Sequence, residues 1–224
     1  MITVMVCGAS GKMGREVVKA VHADPELTLV GGVDHVNRGT DLGTVAGIEA
    51  LGLPVYSDLS RALAEINPDV LVDFTSPAVV FENAKTTLTA GVHIVIGTTG
   101  LTAEQRDELA KIGAEHNANC LVAPNFSLGA VMMMKTAAEL APYFPNVEII
   151  ELHHNHKYDA PSGTAVLTAK LINEAKQAAG AEAAEDLTKE SLQGARGAKV
   201  DGVTIHSVRL PGYVAHQEVL FGGY

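Results

Sequence analysis

Ile2-Thr3-Val4-Met5-Val6-Cys7, followed by Gly8-Ala9-Ser10-Gly11-Lys12-Met13-Gly14, is the stretch that decides the fold. A short β-branched run stops at Gly8, and from Gly11 the pattern turns helical, with Met13, Val17, Val18 and Val21 forming one apolar face. Between the two, the G-x-x-G-x-x-G spacing puts small residues where a chain must turn tightly, admit a pyrophosphate and pack helix against strand. The N–H groups freed at the helix start, together with the helix dipole, then face the phosphates. A Gly-rich loop alone also serves ordinary turns; its place between strand and helix strengthens this one. The next apolar run, Leu27–Val33, ends at Asp34, twenty residues past Gly14. That is close to the offset at which a carboxylate binds the adenosine ribose, a role we favour over a solvated turn aspartate. Asp34 suits the free diol of NAD, because a 2′-phosphate would repel it. Lys12, His35 and Arg38 are nearby cations that either accept such a phosphate or stand as solvated surface charges. The expectation is use of NADH and NADPH with a lean toward NADH.

Outward from this loop, strands are expected at 70–74, 93–96 and 120–122, with helices at 58–66, 77–90 and 102–117. Buried strands alternating with helices indicate a doubly wound parallel sheet. The Gly-rich segment 36–53 has weak periodicity and reads as a loop, with at most short structure of its own. Gly97-Thr98-Thr99-Gly100 and Ala123-Pro124-Asn125-Phe126 close two strands at the carboxyl edge, where such a sheet places its ligand. They either line the nicotinamide end through backbone groups or are simple strand-to-helix turns. After Asn125 the texture changes: a Met-rich helix at 128–140, a long strand at 147–156, an Ala-rich helix at 164–179, and strands at 203–209 and 214–221 joined across Pro211-Gly212. Residues 180–202 read as a mobile surface loop. The fold class is therefore α/β: a Rossmann-type domain at 1–126, then a smaller α+β domain at 127–224 with a mixed or antiparallel sheet, for substrate binding and oligomerisation.

The chain has 224 residues, 47% hydrophobic and 19% charged, a globular rather than disordered composition. No apolar run reaches membrane-spanning length, and the start reads as a strand rather than a signal peptide. Cys7 and Cys120 both lie in apolar runs, as two free thiols in a reducing, cytoplasmic compartment would. A formal charge of −10 argues against nucleic acid or an anionic membrane as partner. Any anionic ligand must then be drawn by local positive groups.

Such groups cluster in Glu151-Leu152-His153-His154-Asn155-His156-Lys157-Tyr158-Asp159-Ala160-Pro161-Ser162-Gly163-Thr164. One reading is a polar strand end with satisfied histidines. A metal site is a second, since His154 and His156 share a strand face, but Lys157 would repel a cation and no cysteine lies near; no metal is expected. The third is an anion and proton-transfer site. It uses every element, with His153 and Lys157 on the other face and Ser162, Gly163 and Thr164 offering N–H groups to a carboxylate.

Residues 8–14, Asp73-Phe74-Thr75, 97–100, Asn125-Phe126-Ser127, 151–164 and His216-Gln217-Glu218-Val219, in this order, closely resemble the 4-hydroxy-tetrahydrodipicolinate (dihydrodipicolinate) reductase family. The resemblance implies NAD(P)H-dependent reduction of 4-hydroxy-tetrahydrodipicolinate, with loss of water, in the diaminopimelate route to lysine. It implies cofactor contacts at Gly8, Ser10, Gly11, Lys12, Met13, Asp34, Gly97, Thr98, Thr99, Ala123, Asn125 and Phe126. His153 and Lys157 would handle protons, with Lys157 as the acid; His154, Gly163 and Thr164 would bind a small dicarboxylate. A homotetramer built through the second domain, with a hinge between domains, is also implied. Family members normally continue past 216–223 with a strand and a helix that return to the nucleotide domain, a segment expected to be missing here. Two other readings are a different two-domain dehydrogenase and a dinucleotide-sensing regulator. Neither cysteine sits in a turn suited to a semialdehyde dehydrogenase nucleophile, and the acidic balance speaks against a nucleic-acid surface.

Overall fold

The computed structural model describes residues 1–123, 125–182 and 185–223. The chain divides into two compact units, Met1–Pro124 and Asn125–Tyr224.

In the first unit, β1 (Ile2–Cys7), α1 (Lys12–Ala23), β2 (Leu27–Val33), α2 (Leu42–Ala46), β3 (Val55–Tyr56), α3 (Leu59–Ile66), β4 (Val70–Asp73), α4 (Val80–Thr89), β5 (His93–Ile96), α5 (Ala103–Glu115) and β6 (Cys120–Val122) follow in order. The six strands are all parallel, in the order β3-β2-β1-β4-β5-β6. The chain winds outward from β1 and then returns to β4, so the loops after β1 and β4 flank the switch point where doubly wound sheets bind ligands. Both faces of the sheet are apolar because alternate side chains point to opposite sides. Met5, Leu71, Leu88, Ile94, Ile96 and Leu109 fill one core, and Val6, Val18, Leu42 and Val55 fill the other. Burying each such Leu or Ile is worth about 1.5–3 kcal/mol.

The segment expected as a loop, 36–53, contains the short helix α2, and β3 follows directly after it. Asp41 explains them: its carboxylate caps α2 at the Thr44 N–H and also accepts from the Leu51 and Gly52 N–H groups. One side chain thereby closes a Gly-rich excursion that has no hydrophobic period.

The second unit contains α6 (Leu128–Leu140), a 3₁₀ turn (Ala141–Tyr143), β7 (Asn146–His153), α7 (Gly163–Ala178), β8 (Ala198–Val200), β9 (Val203–Arg209) and β10 (Ala215–Gly222). The sheet order is β10-β7-β9-β8, with β7 and β9 parallel and the other pairs antiparallel. Small residues on α7, Ala165 and Ala169, let it lie close against Val147, Ile149, Val203 and Ile205.

The two strands joined across Pro211-Gly212, β9 and β10, pair with opposite edges of β7, so their connection passes over the end of that strand. Two local expectations need correction. β7 stops at His153, not at 156, because the Leu210 N–H takes the His153 carbonyl and Lys157 N–H bonds the His154 carbonyl in a turn. The end of the segment expected as a loop at 180–202 forms β8. Asp201 and Gly202, both at positive φ, make the two-residue turn that pairs β8 with β9.

Candidate active site

At the carboxyl end of β1, Gly8 sits at φ +79°, and a Cβ there would meet the Phe74 carbonyl oxygen at 2.4 Å. A Cβ on Gly14 would come within 2.0 Å of the Gly8 carbonyl oxygen. Both glycines are thus required for the loop to fold back on itself. Gly11 caps α1 without a side-chain acceptor, as Val79 does α4, whereas α2, α3 and α5 are capped by Asp41, Asp58 and Thr102. The first-turn N–H groups of α1, around exposed Lys12 and Met13, are consequently left for another acceptor. Such an uncapped start fits a pyrophosphate.

Asp34 lies directly after β2. Its Oδ2 accepts from the Ser10 N–H and its Oδ1 from the Val36 N–H, both at 2.9 Å, while Ser10 Oγ donates to the Val36 carbonyl. The carboxylate therefore holds the loop in shape, and each oxygen retains a lone pair for a further donor. His35 and Arg38 are exposed beside it.

The next two strand ends converge on Asp73, which is fully buried. Its Oδ1 accepts from the Thr75 N–H, from Thr75 Oγ1 and from Thr98 Oγ1 at 2.7–3.0 Å, and its Oδ2 accepts from Asn83 Nδ2 at 2.9 Å. Thr98 is held inward, while Thr99 is exposed. Gly97 passes against the Phe74 ring, at 2.2 Å from where its Cβ would lie. Ala123 N–H bonds the Ile96 carbonyl and continues the edge.

In the second unit, Ser162 caps α7 by accepting the Ala165 N–H. Near this start a cavity of about 420 Å³ is lined by Asn125, Ser127, His153, Thr164, His216 and Gln217 among others. Asn125 Nδ2 donates to Thr164 Oγ1, and Asn125 Oδ1 accepts from the Ser127 N–H. Gln217 Nε2 donates to Thr168 Oγ1, which spends its own hydrogen on the Thr164 carbonyl. Gln217 Oε1 is buried without a hydrogen-bond partner among the described residues.

His153 is 14% exposed, with Nδ1 2.5 Å from Oε2 of fully buried Glu151. Arg209 Nη1 and Nη2 grip the same carboxylate at 2.9 and 2.7 Å, and Nη2 also donates to the Asp159 carbonyl. That second bond ties down the turn carrying Lys157. Lys157 Nζ lies 2.6 Å from Asp159 Oδ1. Burial opposes the Asp159 charge, but the Lys157 ammonium and backbone N–H groups more than offset it, holding the carboxyl below its usual range.

The comparisons with known proteins bear on both units. One family model, described as dihydrodipicolinate reductase, N-terminus, matches residues 2–126, and its counterpart for the C-terminus matches residues 129–224. The chain belongs to the dihydrodipicolinate reductase family.

A 4-hydroxy-tetrahydrodipicolinate reductase of Listeria monocytogenes serotype 4b is 50% identical over 98% of this chain and 82% of its own length. One from Synechocystis is 47% identical over 99% of this chain and 82% of its own length. The solved structure of dipicolinate-bound dihydrodipicolinate reductase from Paenisporosarcina sp. TG-14 is 46% identical. It superposes at a TM-score of 0.78, covering 100% of this chain and 84% of that one. Membership makes the chain an NAD(P)-dependent oxidoreductase of diaminopimelate and lysine biosynthesis.

Against this family background, the cavity brings together His153, Thr164 and Asn125. His154 is exposed and outside its lining, Lys157 is paired on the adjoining turn, and Gly163 is exposed at the first position of α7. Because β7 ends at His153, His154 and His156 do not share a strand face; their rings lie 6.3 Å apart on the turn. Phe126 is 52% exposed. Sequence reasoning missed Glu151, Arg209 and Gln217. Glu151 could have been found, since the period of a strand puts it on the same face as His153. Arg209 could not, lying 58 residues away. No helix among the described residues is long and apolar enough to cross a membrane.

Proposed function

We propose that the chain reduces 4-hydroxy-tetrahydrodipicolinate, with residues of the first unit, together with Asn125 and Phe126, holding the nicotinamide cofactor and residues of the second binding the dicarboxylate and supplying the proton. The observation that carries this is the cavity at the start of α7, where His153, Thr164 and a helix N-terminus surround a space of small-molecule size. The dipicolinate bound to the relative is a planar dicarboxylate of the matching class.

The cofactor, when bound, supplies hydride. Gly8, Ser10, Gly11, Lys12 and Met13 would hold its pyrophosphate at the uncapped start of α1, and Asp34 its ribose. Gly97, Thr98, Thr99, Ala123, Asn125 and Phe126 would line the nicotinamide end. Asp34 leans the choice toward NADH, with Lys12, His35 and Arg38 able to receive the phosphate of NADPH.

In the second unit, the Gly163 and Thr164 N–H groups and His154 would bind the carboxylates. Hydride addition to a conjugated imine leaves negative charge on nitrogen, so a proton must follow from a nearby acid. Lys157 would donate it, and His153 would assist in proton exchange. The unpartnered Gln217 Oε1 suits a hydroxyl or N–H donor of the substrate.

Assembly into a homotetramer through the second unit is supported by the sheet face opposite α6 and α7, where Ile150, Leu152 and half-exposed Leu220 alternate with their register partners Glu218, His216 and Glu148. Light scattering should then give four times the mass of one chain. Two unpaired cysteines support a reducing, cytoplasmic setting. The central experiment follows NADH oxidation with the condensation product of pyruvate and aspartate semialdehyde. Absence of turnover, with NADH binding intact, would sink the substrate assignment.

A further inference from the structure

Glu151 is a fully buried carboxyl group to which the scheme above gives no task. Its polar neighbours are all donors or able to become donors. Oε1 accepts from Arg209 Nη2 at 2.7 Å and from the Ser162 N–H at 3.3 Å. Oε2 accepts from Arg209 Nη1 at 2.9 Å and faces His153 Nδ1 at 2.5 Å. Burial works against the charge on Glu151. Hydrogen bonds from Arg209, Ser207 and His153 more than offset that, so the carboxyl lies below its usual range and is ionised at neutral pH.

An ionised carboxylate only accepts. The His153 nitrogen beside it must therefore carry hydrogen whether the ring is neutral or protonated. That leaves Nε2 as the nitrogen whose proton comes and goes, on a ring that lines the cavity. Arg209 keeps Glu151 from turning away, because its two donors take one oxygen each. The other ionisable groups near His153 are His216 on β10 and the Lys157–Asp159 pair on the turn after β7.

We propose that Glu151, clamped by Arg209, is the positioning residue that fixes the tautomer of His153 and makes Nε2 its proton-exchanging nitrogen. This rests on the reading of His153 as a proton-handling group.

Glu151→Gln puts one NH₂ among these groups. At the Oε1 position it would oppose two donors that cannot reverse, a guanidinium and a backbone N–H. At the Oε2 position it opposes one such donor and a histidine nitrogen that can give up its hydrogen; the Ser207 hydroxyl, also bonded to this group, can turn to accept and so opposes neither placement. The amide nitrogen therefore settles toward His153, and the tautomer inverts to Nε2–H.

Long-range nitrogen–proton NMR correlations of the His153 ring read this directly in the full chain, at a pH where the ring is neutral, with His153→Ala assigning the signals. The expected result is Nδ1–H in the natural protein and Nε2–H in the variant, with kcat lowered roughly 10²–10⁴-fold and NADH affinity unchanged. A loss of activity with the tautomer unchanged would mean that Glu151 only supports packing, and would overturn the proposal. Should the variant fail to fold, the natural protein decides alone: Nδ1–H upholds the proposal and Nε2–H overturns it. Full turnover by His153→Ala would end this inference together with the reading it rests on. An inactive His153→Ala beside an unchanged tautomer in Glu151→Gln would end only the inference.

Discussion

Replacing Arg209 by Met should destabilise the second unit strongly, and by an amount that depends on pH. The guanidinium is 19% exposed and its partner Glu151 is fully buried, so the substitution leaves a carboxylate out of water without its countercharge. Breaking a buried pair in this way costs about 3–5 kcal/mol. The partial exposure of Arg209 places this case near the lower end, about 3 kcal/mol, because some solvent reaches the gap. Against a typical domain stability of about 5–15 kcal/mol, that is a large fraction.

The pH dependence has a definite sign. In the natural protein the Glu151 carboxyl is held low, so its contribution is present above the unfolded pKa and is lost as pH falls through the folded one. Without Arg209, burial dominates and raises the folded pKa, so protonation on acidification relieves the penalty. The gap between the two proteins should therefore be widest near pH 7.5 and narrow toward pH 5. Urea unfolding followed by circular dichroism at both values measures it. A loss below about 1 kcal/mol at pH 7.5, the level of a solvent-exposed pair, would refute the reasoning, as would a loss independent of pH. Pairing Arg209→Met with Glu151→Met should recover most of the stability. It should not recover all, since the Ser162 N–H then lacks its acceptor, at about 1–3 kcal/mol.

Lys157→Ala should fold and bind NADH with kcat down roughly two to four orders of magnitude, and near-normal steady-state turnover would contradict its role as the acid. Gly14→Ala must force its Cβ away from the Gly8 carbonyl oxygen, against which it would sit at 2.0 Å. Such overpacking costs about 1–3 kcal/mol. The unfolding midpoint should drop, and calorimetric NADH affinity should weaken about tenfold or more, a loss of at least ~1.4 kcal/mol. The Cys7 thiol is raised far above its usual range, chiefly by burial and then by the nearby Asp73 carboxylate. A thiol-reactive disulfide should leave it unmodified in the native protein and label it only on unfolding, with the labelled residue identified by peptide mass.

The nucleotide-binding half was legible because its signals are local. Residues 2–14 carry their own strand, turn and helix pattern, and Asp34 stands at a fixed offset along the chain. The strand order of the second sheet was hidden for the opposite reason. Pro211-Gly212 has the chemistry of a tight turn, yet β7 lies between the strands it joins, and only tertiary pairing could reveal that. The α2–β3 excursion was obscured because one Asp41 carboxylate, rather than any periodicity, organises it. The histidine run suggested its chemistry but not its geometry, since strand pairing ends at His153 and the later residues turn outward. Glu151 looked like any charge beside histidines until Arg209 was brought to it from another strand.

Asp73 has an evolutionary consequence. One buried carboxylate receives both Thr75 and Thr98, so changes in the turns after β4 and β5 should be coupled rather than independent. A replacement at Thr98 alters the shared acceptor and so changes which replacements Thr75 or Asn83 will tolerate, making their effects conditional on one another rather than additive. Drift in this corner of the nucleotide half should therefore proceed by paired substitutions.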